Sequence, residues 1–258
     1  MCHTVICFID MEHGEAVRRG APCAASAGQG ARLHEAYCAD LQRRLEECSG
    51  AVCTIRRYDE VTQEWLDATG VEALVLGGNV TDWDQYEEVA LEPLREIVRA
   101  ASLPILGLCG GLQFIALAHG VTVAPMRDLE ADEGDVGGGF AVGYFKEWGY
   151  TPVQILRSDP LFDGFDAPVF LEAHYCEVKS VPEGFEVLAS TGTCRIQALH
   201  RSGTMVYGTQ FHPEAYISHP SDHHNCLIQR IYPAGYPQLV PDGRRLLVNF
   251  FRAAHVLE

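Results

Sequence analysis

Positive charge is scarce in this chain. Nineteen Lys and Arg stand against 35 Asp and Glu, for a net charge of −16. That balance argues against a nucleic-acid backbone or an anionic membrane as the main partner, because both call for clustered cations. No apolar run reaches the roughly 18 residues that a transmembrane helix needs, so no membrane span is expected. The opening stretch MCHTVICFIDMEHGE lacks a basic segment followed by a long apolar one. No secretory signal is expected, and a cytoplasmic location is. The ten cysteines show no paired CxxC spacing, so reduced thiols are expected rather than a disulfide framework. Internal repeats and low-complexity tracts are absent as well.

What is present is a normal globular content of 47% hydrophobic residues in 258. The expectation is one α/β domain over residues 1–258. The first half alternates strand and helix. Strands are expected over 3–10, 51–59, 71–78 and 104–108. Helices are expected over 32–50, 84–102 (with Pro93 inside it) and from Gly111 onward. Such alternation implies a doubly wound, mostly parallel sheet flanked by helices. The second half brings strands in quick succession over 151–156, 168–181, 185–191, 195–202 and 204–211. They read as an antiparallel hairpin extension, closed by a helix over 244–256. The Gly- and acid-rich segment 127–145 reads as a surface loop near the site. Segment 218–243 is long for a loop and reads as a lid or interaction insertion.

The chemistry centres on PILGLCGGLQFIALAHG, residues 104–120. Cys109 stands between a short apolar strand and a helix, at the carboxyl end where open parallel sheets bind ligands. Gly107, Gly110 and Gly111 make it the cysteine counterpart of a G-x-S-x-G nucleophile elbow, and a helix N-terminus favours a thiolate. The alternative is a buried structural cysteine. YGTQFHPEAY, residues 207–216, offers a base: in an extended segment His212 and Glu214 face the same way, so Glu214 can orient His212. The alternative there is a solvated loop histidine. Backbone amides at the Gly77-Gly78 turn and at Gly110 can serve as oxyanion donors, although a plain βα turn also explains the glycine pair.

LGLCGGLQ together with YGTQFHPE resembles the class I (triad) glutamine amidotransferases, with their G-x-C-x-G-x-Q elbow and Q-F-H-P-E segment about a hundred residues apart. LVLGGN resembles the glycine-pair oxyanion strand of that family, with Asn79 where a proline is usual. The resemblance implies a flavodoxin-like amidotransferase fold of seven or more strands. It implies Cys109 as nucleophile, His212 as general base and acid, Glu214 as orienting carboxylate, and Gly78 and Gly110 as the oxyanion hole. It also implies Gln113 beside the bound glutamine. His174 and Tyr175 are candidates for the γ-glutamyl pocket, with ordinary strand residues as the alternative.

The function expected is hydrolysis of the glutamine side-chain amide through a γ-glutamyl-cysteine thioester. No cofactor or metal is called for. No Walker A motif occurs, so ammonia would go to a separate synthetase chain. The runner-up is a γ-glutamyl peptide or amide hydrolase using the same triad. A degenerate binding relative is disfavoured because Cys109, His212 and Glu214 are all present. A metal module at His219, His223, His224 and Cys226 is disfavoured because the spacing fits no standard site. Arg18 and Arg19, after the first strand, read as solvated, with a substrate carboxylate as the alternative.

Overall fold

The structure, a computed structural model, describes residues 4–19 and 27–257. In chain order its elements are β1 (Val5–Asp10), α1 (Gly14–Arg19), α2 (Ala27–Ser49), β2 (Val52–Arg57), α3 (Gln63–Thr69), β3 (Ala73–Leu76), α4 (Glu88–Ala100), β4 (Ile105–Leu108), α5 (Gly110–Ala118), β5 (Val123–Pro125), β6 (Glu147–Pro152), β7 (Gln154–Ile155), β8 (Val169–His174), β9 (Cys176–Val178), β10 (Phe185–Ser190), β11 (Ala198–Arg201), β12 (Val206–Thr209), α6 (Cys226–Ile231) and α7 (Asp242–Ala253). The main sheet has eight strands in the order β2-β1-β3-β4-β12-β11-β10-β7. The first five are parallel. The last three are antiparallel. The doubly wound α/β expectation with an antiparallel extension therefore holds.

Side-chain alternation along the strands divides the core in two. Ile6, Phe8, Val75, Leu106 and Leu108 pack with α2 and α7 on one face. Cys7, Ile9, Leu74, Leu76 and Ile105 pack with α3, α4 and α5 on the other. Strands β3, β4 and β12 are buried at every residue, as a parallel sheet covered on both faces requires. That burial explains one difference from the sequence expectation. The 204–211 segment forms the expected antiparallel hairpin with β11, but its β12 also lies parallel to β4 on its other side, which puts it at the centre of the sheet. The 168–181 stretch is also not one strand. It breaks at Tyr175 into β8, which pairs with β6, and β9, which pairs with β5.

Helix α3 was not anticipated, although its signals are in the sequence. The Thr62 side chain caps it by accepting from the Trp65 amide, and Gly70 stops it in the left-handed region at φ 64°.

Segment 218–243 contains α6 and is tied down at several points. Ile217 and Val240 exchange backbone hydrogen bonds. Ile228 packs with Leu171, Ala215 and Ile217, and Tyr232 and Tyr236 lie against that cluster. Arg44 of α2 is its main anchor. Only 1% of that side chain is exposed, and it pairs with Asp40 at 2.9 Å and Asp222 at 3.4 Å. It also donates to the Tyr216 carbonyl at 3.0 Å. Removing one member of a buried pair strands the other in low dielectric. Arg44→Ala is expected to cost about 3 kcal/mol in urea unfolding. Arg43→Ala, on the half-exposed neighbour that bonds Asp40 and Glu47, is expected to cost less than about 1 kcal/mol.

Candidate active site

The carboxyl ends of β3, β4 and β12 converge, and each delivers part of the site. After β4 the backbone turns sharply at Cys109, with φ 51° and ψ −103°. This lies outside the ordinary regions for a residue with a Cβ. The turn is held by the Cys109 amide, which donates to the Thr209 carbonyl of β12 at 2.7 Å. It also needs a bare backbone at Gly107, where a Cβ would fall 2.5 Å from the Gly111 carbonyl carbon. The thiol ends up 6% exposed, at the wall of a cavity of about 350 Å³.

Past β12 the chain bends at Gln210 and Phe211, and both Gln210 and His212 reach Cys109. Gln210 Nε2 donates to the Cys109 sulfur at 3.5 Å. His212 Nδ1 donates to Glu214 Oε1 at 2.7 Å, and the Tyr37 hydroxyl reaches the same oxygen at 3.5 Å. His212 and Glu214 are both buried. Burial opposes a charge on His212. Attraction to Glu214 and to Cys109, with hydrogen bonds to both, outweighs it and raises the imidazole well above its ordinary value.

The third part follows β3. The Gly77 amide is spent on the Ile9 carbonyl at 2.9 Å, which leaves the Gly78 amide as the next one past the sheet. A Cβ on Gly78 would lie 3.3 Å from His212 Cε1 and 3.6 Å from Cys109 Cβ, so this residue borders both side chains. Gly110 is the first residue of α5, where a helix amide has no intrahelical acceptor. Gly78 and Gly110 thus both lie next to Cys109, one across from it and one after it in the chain. A thiol, an imidazole, an orienting carboxylate and two amide donors together can support attack on a carbonyl carbon and proton transfer to its leaving group.

The remaining expected residues lie on the cavity wall. Gln113 accepts from Trp83 Nε1 at 3.0 Å and donates to the Cys176 carbonyl and to Gln210, both at 3.2 Å. The Tyr175 hydroxyl donates to Asp82. His174 also borders the cavity, but its ring nitrogens bond the Cys176 carbonyl and Glu147. Phe140 and Tyr144 bring the 127–145 segment to the rim, as the sequence suggested. Segment 218–243 contributes no described residue to this wall. The Arg18 and Arg19 side chains lie outside the described residues, as do those of His223 and His224. His219 is spent on capping Pro220–His224.

The sequence model of the family described as glutamine amidotransferase class-I matches residues 34–228. The chain belongs to that family. It is 31% identical over 175 residues to a glutamine-hydrolyzing GMP synthase of Caldicellulosiruptor saccharolyticus, covering 67% of this chain and 30% of that protein. It is 31% identical over 146 residues to one subunit of a glutamine-hydrolyzing GMP synthase of Thermoplasma acidophilum, covering 56% of this chain and 64% of that one. The chain thus spans under two thirds of the length of either relative. A solved glutamine amidotransferase from Methylobacillus flagellatus shares the fold, with a TM-score of 0.63 at 15% identity over 100% of this chain and 96% of that one. No helix among the described residues is long and apolar enough to cross a membrane.

Two contributors within this amidotransferase chain were not singled out from sequence. Gln210 was in plain view two residues before His212. Glu12 was not, because nothing local marks it: its carboxylate accepts from the Val80 amide at 2.7 Å and the Thr81 hydroxyl at 2.6 Å, fixing the loop after Gly78.

The raised value of His212 sets a sign. Its interactions stabilise the fold fully below the ordinary imidazole value of 6.5 and are lost as pH rises through the higher folded value. Glu214→Gln removes the largest favourable contribution. The His212 midpoint, followed by NMR of its ring protons, is expected to move to lower pH, and the loss of stability with it.

Proposed function

We propose that this chain hydrolyses the side-chain amide of glutamine and passes the ammonia to a separate synthetase. The observation that carries this reading is the strained Cys109 corner facing His212, whose other nitrogen is held by Glu214 at 2.7 Å. In this reading the Cys109 thiolate attacks the carboxamide carbon. The oxyanion is held by the Gly78 and Gly110 amides, with Gln210 steadying the sulfur before attack. The imidazolium of His212 gives its proton to the departing nitrogen, and the C–N bond breaks to leave a γ-glutamyl thioester. Water then adds to the thioester carbon and gives its proton to His212. The C–S bond breaks, releasing glutamate and the thiolate. Gln113 borders the bound substrate. Delivery to a partner is supported by the Thermoplasma relative, which is named as one subunit of a glutamine-hydrolyzing GMP synthase. The longer relative, of which this chain matches only 30%, leaves room for a synthetase on the same polypeptide there.

One observation favours a second reading on the same triad. The cavity extends past Gln113 to an aromatic rim of Trp83, Phe140, Tyr144 and Tyr175. A γ-glutamyl amide with a leaving amine bulkier than ammonia would use that surface.

Intact mass after exposure to an electrophilic glutamine analogue tests both readings. One adduct is expected on the wild type and none on Cys109→Ala. Protection by glutamine supports the amidotransferase, protection by a γ-glutamyl peptide alone supports the hydrolase, and no adduct at all rejects both. Where turnover is measurable, Glu214→Gln is expected to slow it by about 10²- to 10⁴-fold, as loss of an orienting carboxylate does elsewhere.

A further inference from the structure

Behind the cavity wall lies a second cluster of polar side chains that the triad chemistry does not use. Glu147 opens β6, Glu172 and His174 lie on β8, and Cys194 follows β10. Their exposures are 6%, 0%, 3% and 0%. One atom each of Glu147, His174 and Cys194 falls within 4.8 Å of the other two.

The histidine geometry is specific. His174 Nδ1 lies 2.9 Å from the Cys176 carbonyl, an acceptor only, so Nδ1 carries a proton. Nε2 then faces two carboxylates, Glu147 Oε2 at 2.9 Å and Glu172 Oε2 at 3.2 Å. One N–H cannot serve both. The geometry gives it to Glu147, and both oxygens of the fully buried Glu172 are left without a hydrogen-bond partner among the described residues. A buried carboxylate without donors is costly. A cation held by His174 Nε2, Glu147 and the Cys194 sulfur, with Glu172 Oε2 3.2 Å from that nitrogen, removes that cost.

We propose that Glu147, Glu172, His174 and Cys194 form a binding site for a divalent ion of the zinc type. The donor set of one imidazole nitrogen, carboxylate oxygens and one thiolate suits that borderline-soft class. The supporting contacts are those of a held ligand set. The Cys176 carbonyl fixes the His174 tautomer, and Glu147 is gripped by the Thr191 and Thr193 hydroxyls and by Gln197. The ion cross-links β8 to the turn at 191–194. That matters to the active site because the Leu171 carbonyl of β8 receives the His212 amide at 2.8 Å. The other His/Cys/carboxylate cluster, Asp10, His34 and Cys38, is less suited. Arg57 already stands 4.0 Å from Asp10 Oδ2, and a metal ion there would face that cation.

The test is titration of the chelator-treated full chain with Co(II), read by the thiolate-to-cobalt charge-transfer band, with Zn(II) competing. One Co(II) per chain and a band are expected in wild type, Cys109→Ala and Cys38→Ser. Cys194→Ser is expected to abolish the band, and Glu172→Gln to weaken Zn(II) binding by about tenfold or more. Zn(II) is expected to raise the thermal midpoint of wild type and not that of Cys194→Ser. Absence of the band, its survival in Cys194→Ser, or its loss in Cys109→Ala or Cys38→Ser overturns the proposal. Should Cys194→Ser fail to fold by circular dichroism, Glu172→Gln decides, and unchanged Zn(II) affinity in that variant rejects the site.

Discussion

The site depends on a backbone that would not stay where it is on its own. A φ of 51° at Cys109 costs about 1–3 kcal/mol and persists only where its surroundings over-determine it. Three contacts do so here. The Cys109 amide is tied to Thr209 of β12. Gly107 lets the first turn of α5 fold back against the strand that precedes it, and Gly111 lets the same turn press against β3, where a Cβ would fall 2.4 Å from the Leu76 carbonyl. The central strands β3, β4 and β12 are therefore more than a scaffold. Their side-by-side pairing is what makes the strained corner the lowest-energy path for the chain.

A second constraint is electrostatic. The chain carries a net charge of −16, yet its site buries an imidazole and several carboxylates. Burying an isolated charge is prohibitive, so each must be compensated locally. Glu214 is answered by His212 and Tyr37. Glu12 is answered by the Val80 and His13 amides and the Thr81 hydroxyl. These carboxylates come from different loops at the same end of the sheet, so neutralising them also fixes the loops relative to one another. Charge compensation and loop placement are one process here.

How much of this was legible in the sequence depends on the range of the interaction. The Cys109 elbow, the His212–Glu214 pair and the strand–helix alternation are written in residues a few apart, and the structure brings each together, although His212 and Glu214 meet through a turn at Pro213-Glu214 rather than on one face of an extended segment. The break at Tyr175 was not legible. The run from Pro168 to Val181 is apolar enough for one strand, and only pairing with β6 on one side and β5 on the other divides it. The place of β12 was legible only in part: VYGT forms the hairpin arm with β11, and its second, parallel pairing with β4 leaves no local mark in the sequence. The anchoring of segment 218–243 was not legible either, because its partners Arg44 and Asp40 lie about 180 residues away. Glu172 and Glu147 look like surface acids in sequence and are buried only because β6 and β8 pair through them.

Asn79 shows how a departure from the family pattern is absorbed. A proline after the glycine pair would stiffen the loop after β3 by fixing φ. Asn79 has no such ring, and the stiffness comes from hydrogen bonds instead. Its Nδ2 donates to the Thr81 carbonyl at 2.6 Å. The next two residues are both held by Glu12 from the end of β1. The asparagine also leans on the turn that follows Cys109, because a Cβ at Gly110 would fall 1.7 Å from Asn79 Oδ1. The Gly78 and Gly110 amides thus sit on loops that are mutually fitted. A change at Gly110 would displace Asn79, and through Asn79 the Gly78 amide. Where a proline would have fixed one loop alone, this chain couples both, so the positions of Gly78, Gly110 and Cys109 are set together.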